Sequence, residues 1–287
     1  MSDLIPGTTE RIIPASVKSE IEYLLYLRHL FAYEFVREML PPESVVLDVG
    51  CGEGYGTALI SSAVKKAIGI DVDEKTIRYA QEKYRGTNCE FIAFDGKRIP
   101  FDDETFTSVV SFQVIEHVPD VQAYLKEIRR VVKKGGYIVL TTPNRTYRLW
   151  PGQKPWNRFH LREYDARGLK KVLEDVFGEV EVWGIRGTDE VQRKEYARVN
   201  KPSLLRYVLY RATKAIPEPV RAGIKNLFSG GEGKVRRGSV KANESTTPEQ
   251  SSPDSARDFI EKYSISDYFV IKRDLNKSLD LLGICKR

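Results

Sequence analysis

The 287-residue chain is short of several things, and each shortage narrows what it can be. It has no run of about 18 apolar residues, so no membrane-crossing helix is expected. Its first residues, MSDLIPGTTE, carry neither a basic stretch nor an apolar one, so no secretory signal is expected there. The three cysteines, Cys51, Cys89 and Cys285, are odd in number and far apart, which suits reduced thiols in a cytosol and not a disulfide framework. Histidine is equally scarce: His29, His117 and His160 make up the whole set. Large apolar residues are nearly missing from 229–257, where Gly, Ser, Pro and charge dominate. That stretch cannot offset its own ordering entropy and is expected to be unstructured.

What is present is unevenly spread. The net charge is +6, but residues 193–241 hold 13 Lys/Arg against 3 Asp/Glu. The basic character therefore belongs to one segment and speaks to that segment's partner. Residues 16–39 carry apolar side chains at helical spacing and stop at Pro41-Pro42. Short apolar strands then alternate with helical patterns: SVVLDVG, AIGIDV, CEFIAFD, SVVSFQVI, GGYIVLTTP, VEVWGIR and a final DLLGICKR. Such alternation implies an α/β fold, a mostly parallel sheet with helices on both faces.

VLDVGCGEGYG is the most informative stretch. Gly50, Gly52 and Gly54 follow a strand and open a helix, where glycine permits tight turning and close approach of backbone to ligand. Asp48, Asp71 and Asp95 stand at three successive strand ends on one edge of the sheet, the edge where open α/β sheets bind ligands. A dinucleotide pyrophosphate needs G-x-G-x-x-G and no adjacent carboxylate. Here the spacing is G-x-G-x-G, with Asp48 and Glu53 beside it, which suits a ligand with a cationic amino-acid end.

Asp48 to Gly54, Asp71, the FDG of Asp95 and Gly96, and KKGGYIVLTTPN together resemble the class I S-adenosylmethionine-dependent methyltransferases. The resemblance covers about residues 43–186 and the last strand, and implies a Rossmann-like seven-stranded sheet with its last strand antiparallel. It implies S-adenosyl-L-methionine as cofactor and S-adenosyl-L-homocysteine as product. Gly50 and Gly52 would face the amino-acid portion, Asp71 the ribose, Asp95 and Gly96 the adenine border, and Val72 the adenine ring. Backbone from Ser111 through Phe112 to Gln113 would line the cofactor.

SFQVIEHVPD (111–120) places Glu116 and His117 where this family does chemistry. It resembles the E-x-x-E-H pattern by which some RNA 2′-O-methyltransferases and quinone O-methyltransferases bind a divalent metal, with Gln113 in place of the first Glu. His160, in the loop after the fifth strand, would complete such a site. Without metal, His117 or His160 can serve as general base, with a free pKa near neutral. A purely structural role for the Glu116–His117 pair stays open, and His29 reads as packing or as part of an acceptor lid. The Asn/Asp-Pro-Pro-Tyr marker of many N-methyltransferases is absent.

TTERIIP, EHVPD and FHLREYD loosely resemble a subgroup associated with surface-glycan synthesis. Arg11 is then a candidate for the cofactor carboxylate or an acceptor anion. Trp150, Trp156, Phe159 and Tyr164 form either a sugar-stacking set or a satellite core. The expected organisation is an N-terminal helical cap (1–42), the cofactor-binding domain (43–188 with 263–287), a basic helical insertion (189–228) and an unstructured linker (229–257). The expected activity is O-methylation of a glycan or glycolipid hydroxyl. Quinone or other small-molecule methylation, RNA 2′-O-methylation and a non-catalytic cofactor-binding scaffold remain as alternatives. The segment 193–241 reads as a lid over an anionic acceptor, as a contact with an anionic membrane surface or as a merely basic, solvated helix pair, with nucleic acid a weaker candidate. The location would be cytoplasmic, at the inner face of the membrane.

Overall fold

The structure, a computed structural model, describes residues 17–155, 157–199 and 253–287. Helix α1 (Glu20–Met39) starts at Ser19, whose side chain accepts from the Glu22 amide, and ends where Pro41 forces Leu40 into an extended conformation. Then follow β1 (Val45–Val49), α2 (Tyr55–Ser61), β2 (Lys66–Asp71), α3 (Glu74–Lys83), β3 (Cys89–Ala93) and β4 (Phe106–Phe112). The chain continues through α4 (Val121–Val131), β5 (Val132–Pro143), the single turn α5 (Arg145–Arg148), α6 (Ala166–Glu174) and β6 (Glu179–Gly187). A helix over 189–199 is α7. After it come α8 (Pro253–Lys262), β7 (Tyr268–Ile271) and β8 (Asp280–Lys286).

The sheet has eight strands in the order β3-β2-β1-β4-β5-β8-β6-β7. The strand pairs from β3 to β5 are parallel, whereas β8 runs antiparallel to both β5 and β6, and β7 antiparallel to β6. The Rossmann-like α/β expectation stands, with a correction of one strand. YFVI (268–271) is a short edge strand paired to 184–187, four residues set between Asp267 and Lys272-Arg273 and too brief to show a period. A second difference is at 253–257. The helix Pro253–Lys262 takes in these residues, which sequence composition had assigned to the unstructured linker. The rest of that linker, the insertion beyond residue 199, Arg11 and Trp156 lie outside the described residues.

Alternate strand residues feed two cores. Leu47, Val49, Ile68, Ile70 and Val109 pack against Val121, Leu125 and Ile128 of α4 and Leu169 and Leu173 of α6. Val46, Ala67, Val110 and Val139 face the other way, against Leu24, Leu27, Tyr33 and Val36 of α1 and Ile60 of α2. Phe259 and Tyr263 of α8 join this second layer. With both faces covered, the C-terminal strand ends are the exposed chemical edge. The strand order reverses between β1 and β4, and the loops after those two strands open a crevice there.

Candidate active site

A cavity of about 870 Å³ sits in that crevice. Its floor is the loop after β1. Gly52 has φ +54°, and a Cβ built on it would meet nothing within 4 Å, so the backbone presents bare amide surface to the space above. Asp71, closing β2, takes the Gly52 amide on Oδ2 (3.0 Å) and the Asp73 amide on Oδ1 (2.9 Å). Those bonds fix the carboxylate in the cavity wall. Beside it Val72 is 60% exposed, bordered by Gly96 and Phe94.

Three predicted cofactor residues sit elsewhere. Asp48 is buried beneath the loop, taking Thr57 Oγ1 (2.6 Å) and Tyr33 OH (3.2 Å). Burial, chiefly, pushes its carboxyl up to about 7. Gly54 starts α2 and packs against Phe91 and Ala80. Asp95 lies two residues past β3 and accepts the Lys97 (2.8 Å) and Arg98 (3.0 Å) amides, which hold its pKa down. Among the predicted set, Gly50, Gly52, Asp71, Val72, Gly96, Phe112 and Gln113 line the cavity, and Asp48, Gly54 and Asp95 do not.

The opposite wall is the turn after β4. Gln113 has φ +56°, a strained value for a residue with a side chain, held by its amide N–H on Thr141 O (2.9 Å) and its side chain on Thr141 Oγ1 (3.2 Å). The turn then presents His117 to the cavity and sends Glu116 inward, where it is fully buried. Glu116 Oε2 accepts from Thr142 Oγ1 (2.9 Å), while Oε1 has no hydrogen-bond partner among the described residues. Burial pushes this carboxyl up to about 7.

The loop after β5 returns over the same edge. Asn144 donates to Leu275 O and Ser278 O and caps α5 through the Thr146 amide. The Leu161 amide bonds Glu116 O (2.9 Å), which seats His160 behind His117, ring centroids 4.9 Å apart. His117 Nδ1 lies 3.0 Å from Phe159 O, and His160 Nδ1 lies 2.8 Å from Glu163 Oε1. Both acceptors require Nδ1–H, which puts the basic lone pair of each ring on Nε2. One donor atom from each of Glu116, His117 and His160 lies within 4.8 Å of the others. A carboxylate and two imidazoles, with an orphaned buried carboxylate oxygen and each ring fixed through Nδ1, fit a first-row transition metal better than magnesium.

Tyr33 of α1 and Tyr55 of α2 carry no sequence signal, whereas His29 reads from sequence as packing or acceptor lid. Tyr33 and Tyr55 line the cavity, and so does His29, whose pKa burial and neighbouring Arg28 push down to about 3, leaving it neutral. Lys75, Arg78 and Tyr124 also line it. Of the aromatic set near His160, Phe159 faces the cavity and Tyr164 packs on the core.

A glycine cradle, an anchored carboxylate and an exposed apolar residue beside it define a nucleoside-cofactor site at the switch point of an α/β sheet. Residues 47–140 match the methyltransferase domain family. A relative from Mycolicibacterium smegmatis, named "Probable S-adenosylmethionine-dependent methyltransferase", is 35% identical over 178 residues, covering 62% of this chain and 66% of the relative. A phthiotriol/phenolphthiotriol dimycocerosates methyltransferase of Mycobacterium tuberculosis is 27% identical over 134 residues, covering 44% and 50%. The chain spans just under two thirds of the length of the first of these and half of the second. Among solved structures, the [4+2]-cyclase SpnF superposes with a TM-score of 0.51 at 19% identity, covering 91% of this chain and 80% of that one, a likeness of fold alone. The chain thus carries a class I S-adenosylmethionine-dependent methyltransferase domain, whose cofactor is S-adenosylmethionine.

Proposed function

We propose that this chain methylates a hydroxyl group of a glycolipid or other lipid-borne acceptor, with His117 as the general base. The observation that carries this reading is the place of His117. It stands in the wall of the cavity that holds Gly50, Gly52 and Asp71, and the Phe159 carbonyl sets its tautomer so that Nε2 is the proton acceptor. When bound, S-adenosylmethionine supplies an electrophilic methyl group on a sulfonium sulfur. Gly52 and Asp71 would hold its amino-acid and ribose portions, and Val72 would pack on the adenine. His117 Nε2 would take the proton of the acceptor hydroxyl as that oxygen bonds the methyl carbon, the carbon–sulfur bond breaking and S-adenosylhomocysteine leaving. Tyr33, Phe112, Val114, Tyr124 and Phe159 give the wall around His117 an apolar surface. Those walls, and a relative named for methylating a dimycocerosate lipid, support a lipid-borne acceptor over a free polar sugar. No helix among the described residues is long and apolar enough to cross a membrane, so such an acceptor would be met at a membrane surface. The basic segment 193–241 suits contact with anionic lipid there.

A second reading comes from the convergence of Glu116, His117 and His160. A divalent ion on these three would lower the pKa of the acceptor hydroxyl. One experiment tests both readings: transfer of labelled methyl into lipid, glycan, RNA, protein and small-molecule fractions of host extract, with and without chelator. Label in lipid that survives chelation and falls at least 100-fold in His117→Asn supports the metal-free base. Label lost on chelation moves the assignment to the metal. Label confined to RNA or to small polar molecules refutes the acceptor class.

A further inference from the structure

We propose that Glu163, itself held by Arg148, is a positioning residue that fixes the orientation and tautomer of His160. The role of His160 in methyl transfer rests on the reading above, but its geometry stands without it. His160 Nδ1 is 2.8 Å from Glu163 Oε1, with the two side chains 5% and 0% exposed. Arg148, 8% exposed, places NH2 3.5 Å from the same oxygen. Nothing here is a surface ion pair free to rearrange. Glu163 is pinned from both sides, by the Leu161 amide on Glu116 O and by the Arg145 amide on Tyr164 O (2.8 Å). Its carboxylate therefore stands at a fixed point relative to the turn that carries Glu116 and His117.

The way this carboxylate is satisfied argues for function over stability. Burying a carboxylate is costly, and an arrangement serving stability alone would pair both oxygens. Here both partners converge on Oε1, while Oε2 has no hydrogen-bond partner among the described residues. An apolar side chain of this volume would fill the space without that cost. What it could not do is hold Nδ1–H in place and so keep the ring's lone pair on Nε2. A His160 free to flip would present N–H or lone pair at random to its neighbours, and His117 lies in edge contact with it.

The chain has three histidines, so nitrogen-15 spectra of the imidazoles can be assigned with single His→Asn variants. In the wild type His160 should show the Nδ1–H tautomer. The double variant Arg148→Met/Glu163→Met removes both charges together and should keep the wild-type melting temperature within a few degrees. It should show His160 as a mixture of tautomers, and kcat for methyl transfer should fall roughly 10- to 100-fold with KM for the cofactor unchanged. Glu163→Gln retains an oxygen that accepts the same N–H. It should keep the tautomer, shift the Nδ1 proton upfield for want of a charged acceptor, and restore most of the activity. A His160 that keeps its tautomer in the double variant overturns the proposal. So does an unmoved Nδ1 proton in Glu163→Gln, which decides the matter should the double variant not fold. Absence of any methyl transfer would count against the proposed function alone, because the spectra report on His160 directly.

Discussion

Asp48→Asn should make the protein more stable at alkaline pH, and the gain can be worked from the structure. Asp48 is 1% exposed, and its two oxygens take hydroxyls from Thr57 and Tyr33. Burial is the largest influence and Asp71 adds a like charge, so the carboxyl titrates at about 7 in the folded chain against an ordinary 3.8. A raised acid pKa means that the folded state holds the proton longer than the unfolded state. Stability from this group is therefore full below about pH 4 and is lost as pH rises through 7. At ~1.36 kcal/mol per unit, the loss between pH 5 and pH 8 is on the order of 2.5 kcal/mol. Asparagine keeps the shape and can both accept from one hydroxyl and donate to the other, so its contribution is flat with pH. Urea unfolding of both proteins at pH 5 and pH 8 checks this. The midpoint of Asp48→Asn should gain on that of the wild type at pH 8 relative to pH 5, with equal slopes at each pH. A difference between the two proteins that is the same at both pH values would mean that Asp48 titrates as an ordinary carboxyl, and the reasoning would fail.

Two further substitutions separate the cofactor loop from its support. Gly52→Ala should cost about 1–2 kcal/mol for a side chain at φ +54°, yet unfold cooperatively, because its Cβ meets nothing within 4 Å. The methyl group would stand in cofactor space, so calorimetric affinity for S-adenosylhomocysteine should drop at least tenfold, and unchanged affinity would show that the cofactor lies elsewhere. Gly56→Ala lies in helix α2, where alanine ordinarily helps, but its Cβ would overlap the Tyr33 ring. It should destabilise by about 1–3 kcal/mol in the wild type and be neutral or stabilising in a Tyr33→Ala background. Additive effects in that cycle would exclude the proposed packing.

The sheet was legible because its central strands β1, β2 and β4 are short apolar runs buried on both faces, each followed by a helical pattern. The edge strand 268–271 follows no such rule. It is four residues long, half-buried and paired on one side, so its signal is local hydrogen bonding that composition does not carry. Residues 253–257 misled for a related reason. PDSAR is polar, and its helical conformation belongs to a helix whose Phe259, further on, reaches the core. At the site, spacing pointed to Gly52, Asp71 and the Glu116–His117 pair because these are adjacent to strand ends. Arg148 and Tyr33 were not legible, since their partners Glu163 and Asp48 lie in other elements, and Glu163, close after His160 in the chain, reads as one more loop charge until the fold buries it. Asp48 shows the limit of position alone. It stands at a strand end like Asp71, but its side chain alternates inward, toward α1 and α2 and away from the cavity.

The cap helix α1 is joined to the site by buried charge as well as by packing. Arg28 lies between Asp280 at the start of β8 (2.9 Å) and Glu195 of α7 (3.3 Å), all three buried. Glu195 also takes Arg198 (2.7 Å). Such pairs add little net stability over an apolar core of the same volume. What they add is a single allowed register, because a one-residue slip of α1 would strand a guanidinium among apolar side chains. The same helix carries His29 and Tyr33 into the cavity wall, and the hydroxyl of Tyr33 reaches Asp48 under the glycine loop. A helix fixed in rotation by Arg28 therefore fixes one wall of the cavity and the support of the glycine loop together. The charged cluster extends toward chemistry as well as toward the cap, since Arg148 feels the charges of Arg28, Arg198 and Asp280 and contacts Glu163. The cap, α7 and the histidine pair are thus parts of one buried electrostatic unit. That explains why polar residues are retained at the centre of a sheet edge that hydrophobic packing alone could have closed.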